Sequence, residues 1–281
     1  MNWIIFVILY LILVVIYNQF YKISTKKLTK PGALTVLLQI IGALAVLLVS
    51  PLFEIKFPTD IKVYMFLGLA LIFYSISDRL NTTVMAGIEA STFSIIIQLS
   101  TVFMIFAGLI FLKEPFIVNK LIGAFLIIAS NILIFYKKGE AKLNKYIILG
   151  ILANICYTIA LFLDVNISNN FNLPFYVAIT LGVPAILIFI LERVKISDIK
   201  SELKNGNKRA IIITGITWAL SIVAQLRASQ LGDVSVVAPL CALSVILNVI
   251  FGYFFQNEKE NLTKKIIAAL LIILGIILIK V

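Results

Sequence analysis

The chain has 281 residues, 62% hydrophobic and 13% charged, with a mean hydropathy of +1.10. Soluble domains run at about 45–50% apolar and about 25% charged, so a water-soluble globule is excluded and an integral membrane protein is implied. The net charge of +11 comes from 24 Lys and Arg against 13 Asp and Glu, and the basic residues fall in short loops between apolar runs, which points to anchoring at a membrane face rather than to nucleic acid.

A membrane-spanning helix needs roughly 20 mostly apolar residues. Ten segments qualify: 3–21, 31–52, 61–80, 84–112, 118–136, 146–164, 173–191, 210–229, 233–256 and 262–280. The first has no basic flank before it and no small-residue cleavage site after it, so it reads as a span rather than a cleaved signal. Apolar–polar alternation is missing, which leaves helices as the way to satisfy the backbone in lipid. Tyr17, Asn18 and Gln19 close the first span, and Gln39 in the second reads as a packing amide, as does Asn131 in the fifth. Asn154 and Tyr157 lie within the sixth, and Pro174 and Pro184 are expected to bend the seventh. Pro239 removes a backbone donor inside the ninth and frees the carbonyl of Ser235, giving a gate or a plain packing kink.

The chain repeats itself. A shift of 144 residues lays 89–114 on 233–258 without a gap, matching Ser91 to Ser235, Ser100 to Ser244, Gly108 to Gly252 and Glu114 to Glu258. The register divides the protein into halves, 1–138 and 144–281. Five spans per half is an odd number, so the second half enters the membrane from the opposite side. The expected fold is all-α: ten transmembrane helices as two five-helix inverted-topology repeats, an arrangement found in secondary transporters whose sites lie where the repeats meet. With the N-terminus outside, 18 of the 24 basic residues fall in cytoplasmic loops, which predicts both termini outside a cell membrane.

Ionisable residues within a span cost about 2.5–3.5 kcal/mol each at the helix centre, and Asp78 and Arg79 stand out. The repeat sets them over Ile222 and Val223, inside the eighth span. As neighbours they point about 100° apart and need separate partners; a hydrated interfacial pair is the plainer reading. Tyr74, Ser77, Asp78, Asn81 and Met85 share one helix face, and the register maps Tyr74 to Trp218, Ser77 to Ser221 and Asn81 to Gln225. Both copies carry an aromatic, a hydroxyl and an amide in the same order. That stripe lines a cavity or bonds helices together. Ser91, Ser94, Gln98 and Thr101 form a second stripe at helical spacing in the fourth span, and Cys241, Ser244 and Asn248 follow helical spacing in the ninth.

Glu89 and Asp233 are repeat partners at the starts of spans four and nine, suited to the helix dipole there or to a protonation step. Glu114 and Glu258 precede the next spans and are expected to brace their exposed N–H groups. Histidine is absent, so a coupled proton would be carried by a carboxylate. Cys156 and Cys241 lie in apolar segments, and no zinc-ligand spacing, Ser-His pair or phosphate loop appears. No cofactor, metal, nucleic-acid partner or enzyme activity is expected.

These blocks resemble a known family. VSVVAPLCALSVILNVIFGYFFQNE at 234–258 with KKIIAALLIILGIILI at 264–279, and ASTFSIIIQLSTVFMIFAGLIFLKE at 90–114 with LIGAFLIIASNILIFY at 121–136, are similar to the EamA-like branch of the drug/metabolite transporter superfamily. The first copy departs from the pattern with Ile95 where Pro239 stands. The resemblance implies transport of small metabolites, with helices one, three and four and six, eight and nine around a central cavity. It also implies cytoplasmic termini, against the loop charges. The resulting expectation is a secondary transporter, monomer or homodimer, moving a polar or amphipathic metabolite such as an amino acid by alternating access, with a proton or other ion as coupling partner. Asp78, Arg79, Tyr74, Ser77, Asn81, Gln98, Trp218, Ser221 and Gln225 are the expected substrate contacts; Glu89, Asp233 and Pro239 are coupling or gating candidates. An organic-cation carrier is the alternative within transport, and a non-transporting scaffold the alternative outside it.

Overall fold

Long runs of Leu, Ile, Val and Phe ended by Lys, Pro, Gly or Asn give this chain one economical backbone solution, the helix. A computed structural model describes residues 3–54, 56–111, 117–135, 144–164, 167–232 and 234–280, and among them the regular structure is helical without strands. In chain order the helices are α1 (Trp3–Ser24), α2 (Pro31–Val49), α3 (Ile61–Gly87), α4 (Ala90–Ile96), α5 (Leu99–Phe111) and α6 (Val118–Phe135). They continue as α7 (Lys145–Asp164), α8 (Leu173–Leu191), α9 (Ile196–Asn205), α10 (Lys208–Leu231), α11 (Val234–Phe255) and α12 (Leu262–Lys280). Among the described residues, eight segments are long and apolar enough to cross a bilayer, with α4 and α5 counted as one; Val118–Ile134 and Leu240–Phe255 are shorter apolar helices.

Local signals set the ends. Asp60 accepts from the Lys62 N–H ahead of α3, and Asn207 accepts from Ala210 at the start of α10. Pro31 and Pro174 occupy first turns, where a missing N–H costs nothing. Helix α3 continues to Gly87, beyond the expected limit at 80, so Asp78 and Arg79 lie inside it. The single helix expected over 84–112 is instead the end of α3, then α4, then α5. At the α4–α5 step the bonds tighten to i→i+3, with Gln98 N–H donating to Ile95 at 3.2 Å and Ser100 N–H to Ile97 at 3.3 Å. The Ser100 hydroxyl also donates to the Ile97 carbonyl at 2.7 Å, a side-chain bond that competes with the regular helix pattern. Between the seventh and eighth expected spans the chain forms a further short helix, α9.

Helix α1 packs along α10, α3 along α7, α2 along α8 and α6 along α12. Two crossings rely on glycine. A Cβ on Gly123 would lie 2.4 Å from the carbonyl oxygen of Gly275, and one on Gly42 would lie 2.9 Å from that of Gly215. Close backbone approach at small residues drives helix association in lipid, where apolar burial supplies little. Replacing Gly123 by Val must push α6 away from α12 because the opposing atom is backbone. The expected cost is about 1–3 kcal/mol, read as a lower melting temperature of the purified protein; an unchanged melt would show that this crossing bears little of the stability.

Candidate functional site

A cavity of about 600 Å³ lies among α1, α3, α5, α7, α10 and α11. Its wall carries Asp78 and Asn81 from α3, Gln98 from the α4–α5 step, and Trp218, Ser221 and Gln225 from α10. Six of the nine expected contacts therefore surround one space. The other three lie elsewhere. Tyr74 packs its ring against wall residue Tyr157 at 5.9 Å. Ser77 is fully buried, and its hydroxyl accepts from the Asn81 amide at 3.4 Å. Arg79 turns out of the cavity: Nε donates to Glu192 at 2.6 Å and Nη1 to Thr83 at 2.7 Å, tying α3 to the end of α8. The angle between successive helix positions produces this split, with Asp78 inward and Arg79 outward.

Asp78 accepts from Gln39 Nε2 at 2.8 Å, and among the described residues no basic side chain pairs with it. Gln39 is completely buried. Its bond to Asp78 was not legible in α2 alone, where it stands as a single amide in an apolar helix. Three helices along the chain from Asp78 to α6, Lys120 adds a positive charge to the wall. Asn81 Oδ1 is buried without a hydrogen-bond partner, leaving an acceptor beside the cavity for an incoming donor.

Aromatic rings form much of the remaining surface. Tyr17 stacks between Tyr21, at 5.2 Å between centroids, and Trp218, at 5.8 Å. Tyr21 meets Phe93 edge-on at 6.2 Å, and its hydroxyl hydrogen-bonds Thr82 at 2.7 Å, which in turn bonds Thr35 at 2.6 Å. The stack is thereby fixed from α1, α2, α3 and α4. Tyr10, Tyr157 and Asn154 complete the wall. Of these wall residues, Tyr17, Asn154 and Tyr157 were conspicuous in the sequence but gave no sign of a shared space, since they sit on helices about 140 positions apart.

One end of the helix cluster is tied shut. Glu258 accepts from the Ala90 N–H at 2.7 Å, the Ser91 N–H at 3.1 Å and the Ser91 hydroxyl. It thus braces the start of α4, and not that of the following helix α12 as its sequence position suggested. Asn257 and Asn261 adopt left-handed backbone (φ 60° and 51°) around it. Gly252 makes room, because a Cβ there would stand 2.5 Å from Glu258 Oε2. Beside it Glu89 pairs with the buried Lys265 at 2.6 Å, and Lys22 donates to the carbonyls of Met85 and Ala86 at 3.0 and 3.2 Å. Gln256 donates to the Gln19 carbonyl at 3.0 Å. Asp233, Glu114 and the side chain of Pro239 lie outside the described residues.

The profile of the EamA-like transporter family matches residues 1–136 and 144–281. A Sinorhizobium sp protein described as an uncharacterized transporter in cobO 3'region is 39% identical over 62 residues, 22% of this chain and 44% of that one. The matched stretch thus covers less than half of that relative. A solved structure, titled only as the crystal structure of a protein, aligns with a TM-score of 0.65 at 12% identity over 98% of this chain and 94% of its own, a likeness of fold.

Proposed function

The chain belongs to the EamA-like transporter family, and from that membership we propose a secondary transporter of small amine-bearing metabolites, an amino acid or a derivative being the best fit, working by alternating access. A multi-pass membrane transporter follows from the family and the apolar helices; the substrate and the mechanism are our reading. The observation that carries it is Asp78, a carboxylate without a basic partner among the described residues, set on the wall with the Tyr17–Trp218 stack. An ammonium group would supply the missing charge, and the rings would cover an apolar side chain. Lys120 adds a positive charge to the same wall, which favours a zwitterion over a simple cation. An organic-cation carrier is the second reading, supported by the aromatic wall alone.

The ten-span, two-repeat architecture with halves 1–138 and 144–281 belongs to this proposal. Helix packing supports it: under the 144-residue shift α1 corresponds to α7, α3 to α10 and α5 to α11. The α1–α10 contact then has its counterpart in α7–α3, and α1–α11 in α7–α5, while α2–α8 and α6–α12 pair each helix with its own copy. In this frame the ties around Glu258, Glu89 and Lys22 close the face that carries most loop lysines. The cavity runs toward Lys120 and Ile279 at the other end. With that basic face cytoplasmic, as the loop charges favour, this conformer is closed inward and both termini are outside a cell membrane. A proton carried by Asp78 or Glu89 is the proposed coupling.

The test begins with thermal shifts of purified protein against amino acids, amines and neutral metabolites, followed by counterflow in vesicles with each stabilising compound. Trp218→Ala should then raise the half-saturation concentration about 10-fold or more, as removal of an aromatic anchor does. Stabilisation by neutral compounds alone, with counterflow indifferent to Trp218, sinks the amine reading.

A further inference from the structure

Helix α9 is too short and too polar to span a membrane, yet it is firmly held. Ile199 and Leu203 pack into the apolar cluster around Tyr21 and Leu34. Glu202, 2% exposed, accepts from the Thr29 and Lys30 N–H groups at 3.0 and 2.7 Å and from the Thr29 hydroxyl. Asp198 pairs with Lys30 at 2.7 Å, which holds its carboxyl below the usual carboxylate range. Glu192, just ahead of the helix, is engaged by Arg79. Every carboxylate between 192 and 209 is therefore turned to an internal partner.

The positive groups of the same stretch are turned the other way. Lys200 and Lys204 follow Ile196 at intervals of four, which places the three on one stripe, and all are exposed. Arg193, Lys195, Lys208 and Arg209 flank them, exposed as well, and among the described residues none of the six basic groups forms an ion pair. Ile196 is 64% exposed, and the adjoining end of α8 exposes Ile190 and Leu191 at 63% and 74%. A surface whose carboxylates are all paired within the protein, whose basic groups are exposed and form no ion pair among the described residues, and whose apolar edge is continuous with a membrane-spanning helix matches one partner: the headgroup and acyl boundary of an anionic bilayer.

We propose that α9 and its flanks form a binding surface for anionic phospholipid headgroups, with Ile196 set among the acyl chains and Lys200, Lys204 and Lys208 against the phosphates. This rests on the chain lying in a membrane and not on the transport reading, so failure of either leaves the other standing. Full-length protein is equilibrated in micelles holding phosphatidylglycerol and phosphatidylcholine in equal amounts, and co-purifying lipid is measured. The wild type should retain phosphatidylglycerol several-fold over phosphatidylcholine. Lys200→Ala/Lys204→Ala/Lys208→Ala should bring the ratio to near one, the triple Arg variant should keep it, and Lys56→Ala/Lys62→Ala at the opposite end should leave it unchanged. Enrichment in the wild type should also fall as salt rises from about 0.1 M to about 1 M, where the screening length shrinks to about 3 Å. That arm stands even if the triple Ala variant does not fold. Equal retention of the two lipids by the wild type overturns the proposal. So does enrichment that survives the triple Ala change, or displacement of the lipid by millimolar glycerol phosphate, which would assign the site to a free phosphate ligand.

Discussion

Asp78→Asn is expected to reduce uptake of an amine-bearing substrate into proteoliposomes by about 100-fold, while leaving the protein folded. The magnitude follows from removing one member of a desolvated charge pair, which costs about 2–5 kcal/mol in binding. The substitution preserves shape, and an Asn carbonyl oxygen can still accept from Gln39, whose amide donates to Asp78 at 2.8 Å. No ion pair within the protein is lost, since among the described residues none exists at Asp78. The melting temperature should therefore stay level or rise, because a lone charge in a membrane-embedded wall is unfavourable. Loss of uptake with loss of stability would instead mark Asp78 as structural. Unchanged uptake would remove the amine reading altogether. Arg79→Gln makes the contrast: its guanidinium is spent on Glu192 and Thr83, so the expected effect is on stability before substrate affinity.

The separation of Asp78 from Arg79 marks how far the sequence could be read. Helical periodicity grouped Asp78 with Asn81 and Ser221 with Gln225, which line one cavity, because it depends only on residues three and four apart. The repeat register carried the pair into the helix, which α3 bears out by running to Gly87. What escaped were relations between distant helices. Gln39 and Asp78 are 39 residues apart, and nothing in α2 signals that its one buried amide serves a carboxylate on α3. The Tyr17–Trp218 stack joins helices about 200 residues apart in the chain. Span limits were misjudged where local bonds outweighed hydropathy, as at Ile97–Gln98, where apolarity is continuous but the backbone tightens. Helix α9 was missed because its stripe of Ile199, Glu202 and Leu203 looks polar until Glu202 is seen facing the start of α2.

Glu258 is where the sequence came nearest and still pointed to the wrong helix. Glu258→Ala is expected to destabilise the protein by about 3–5 kcal/mol, because each buried donor left without an acceptor costs about 1–3 kcal/mol. Three donors lose their acceptor at once: the N–H groups of Ala90 and Ser91 and the Ser91 hydroxyl. Lys265 keeps both its pair with Glu89 and its bond to the backbone carbonyl of residue 258. Gly252→Ala should reproduce part of the effect without touching the carboxylate, because its Cβ would stand 2.5 Å from Glu258 Oε2 and drive that group off α4. Ser91→Ala removes only the hydroxyl and should cost about 1 kcal/mol. If the contact is solely a brace, the three variants lower the melting temperature in that order and nothing else changes. If it is the tie that holds one face shut during alternating access, Gly252→Ala should do more. A cysteine placed on the cavity wall at Ser221 should then react faster with a thiol reagent applied from the face of Lys22 and Lys265. The second outcome follows from position: Glu258 joins the end of α11 to the start of α4, which fall in different halves of the proposed repeat, so a motion separating those halves at this face must break it. Faster labelling from that face would identify the repeated glycine–glutamate pair as a latch, whereas unchanged labelling in a destabilised protein would leave it a brace.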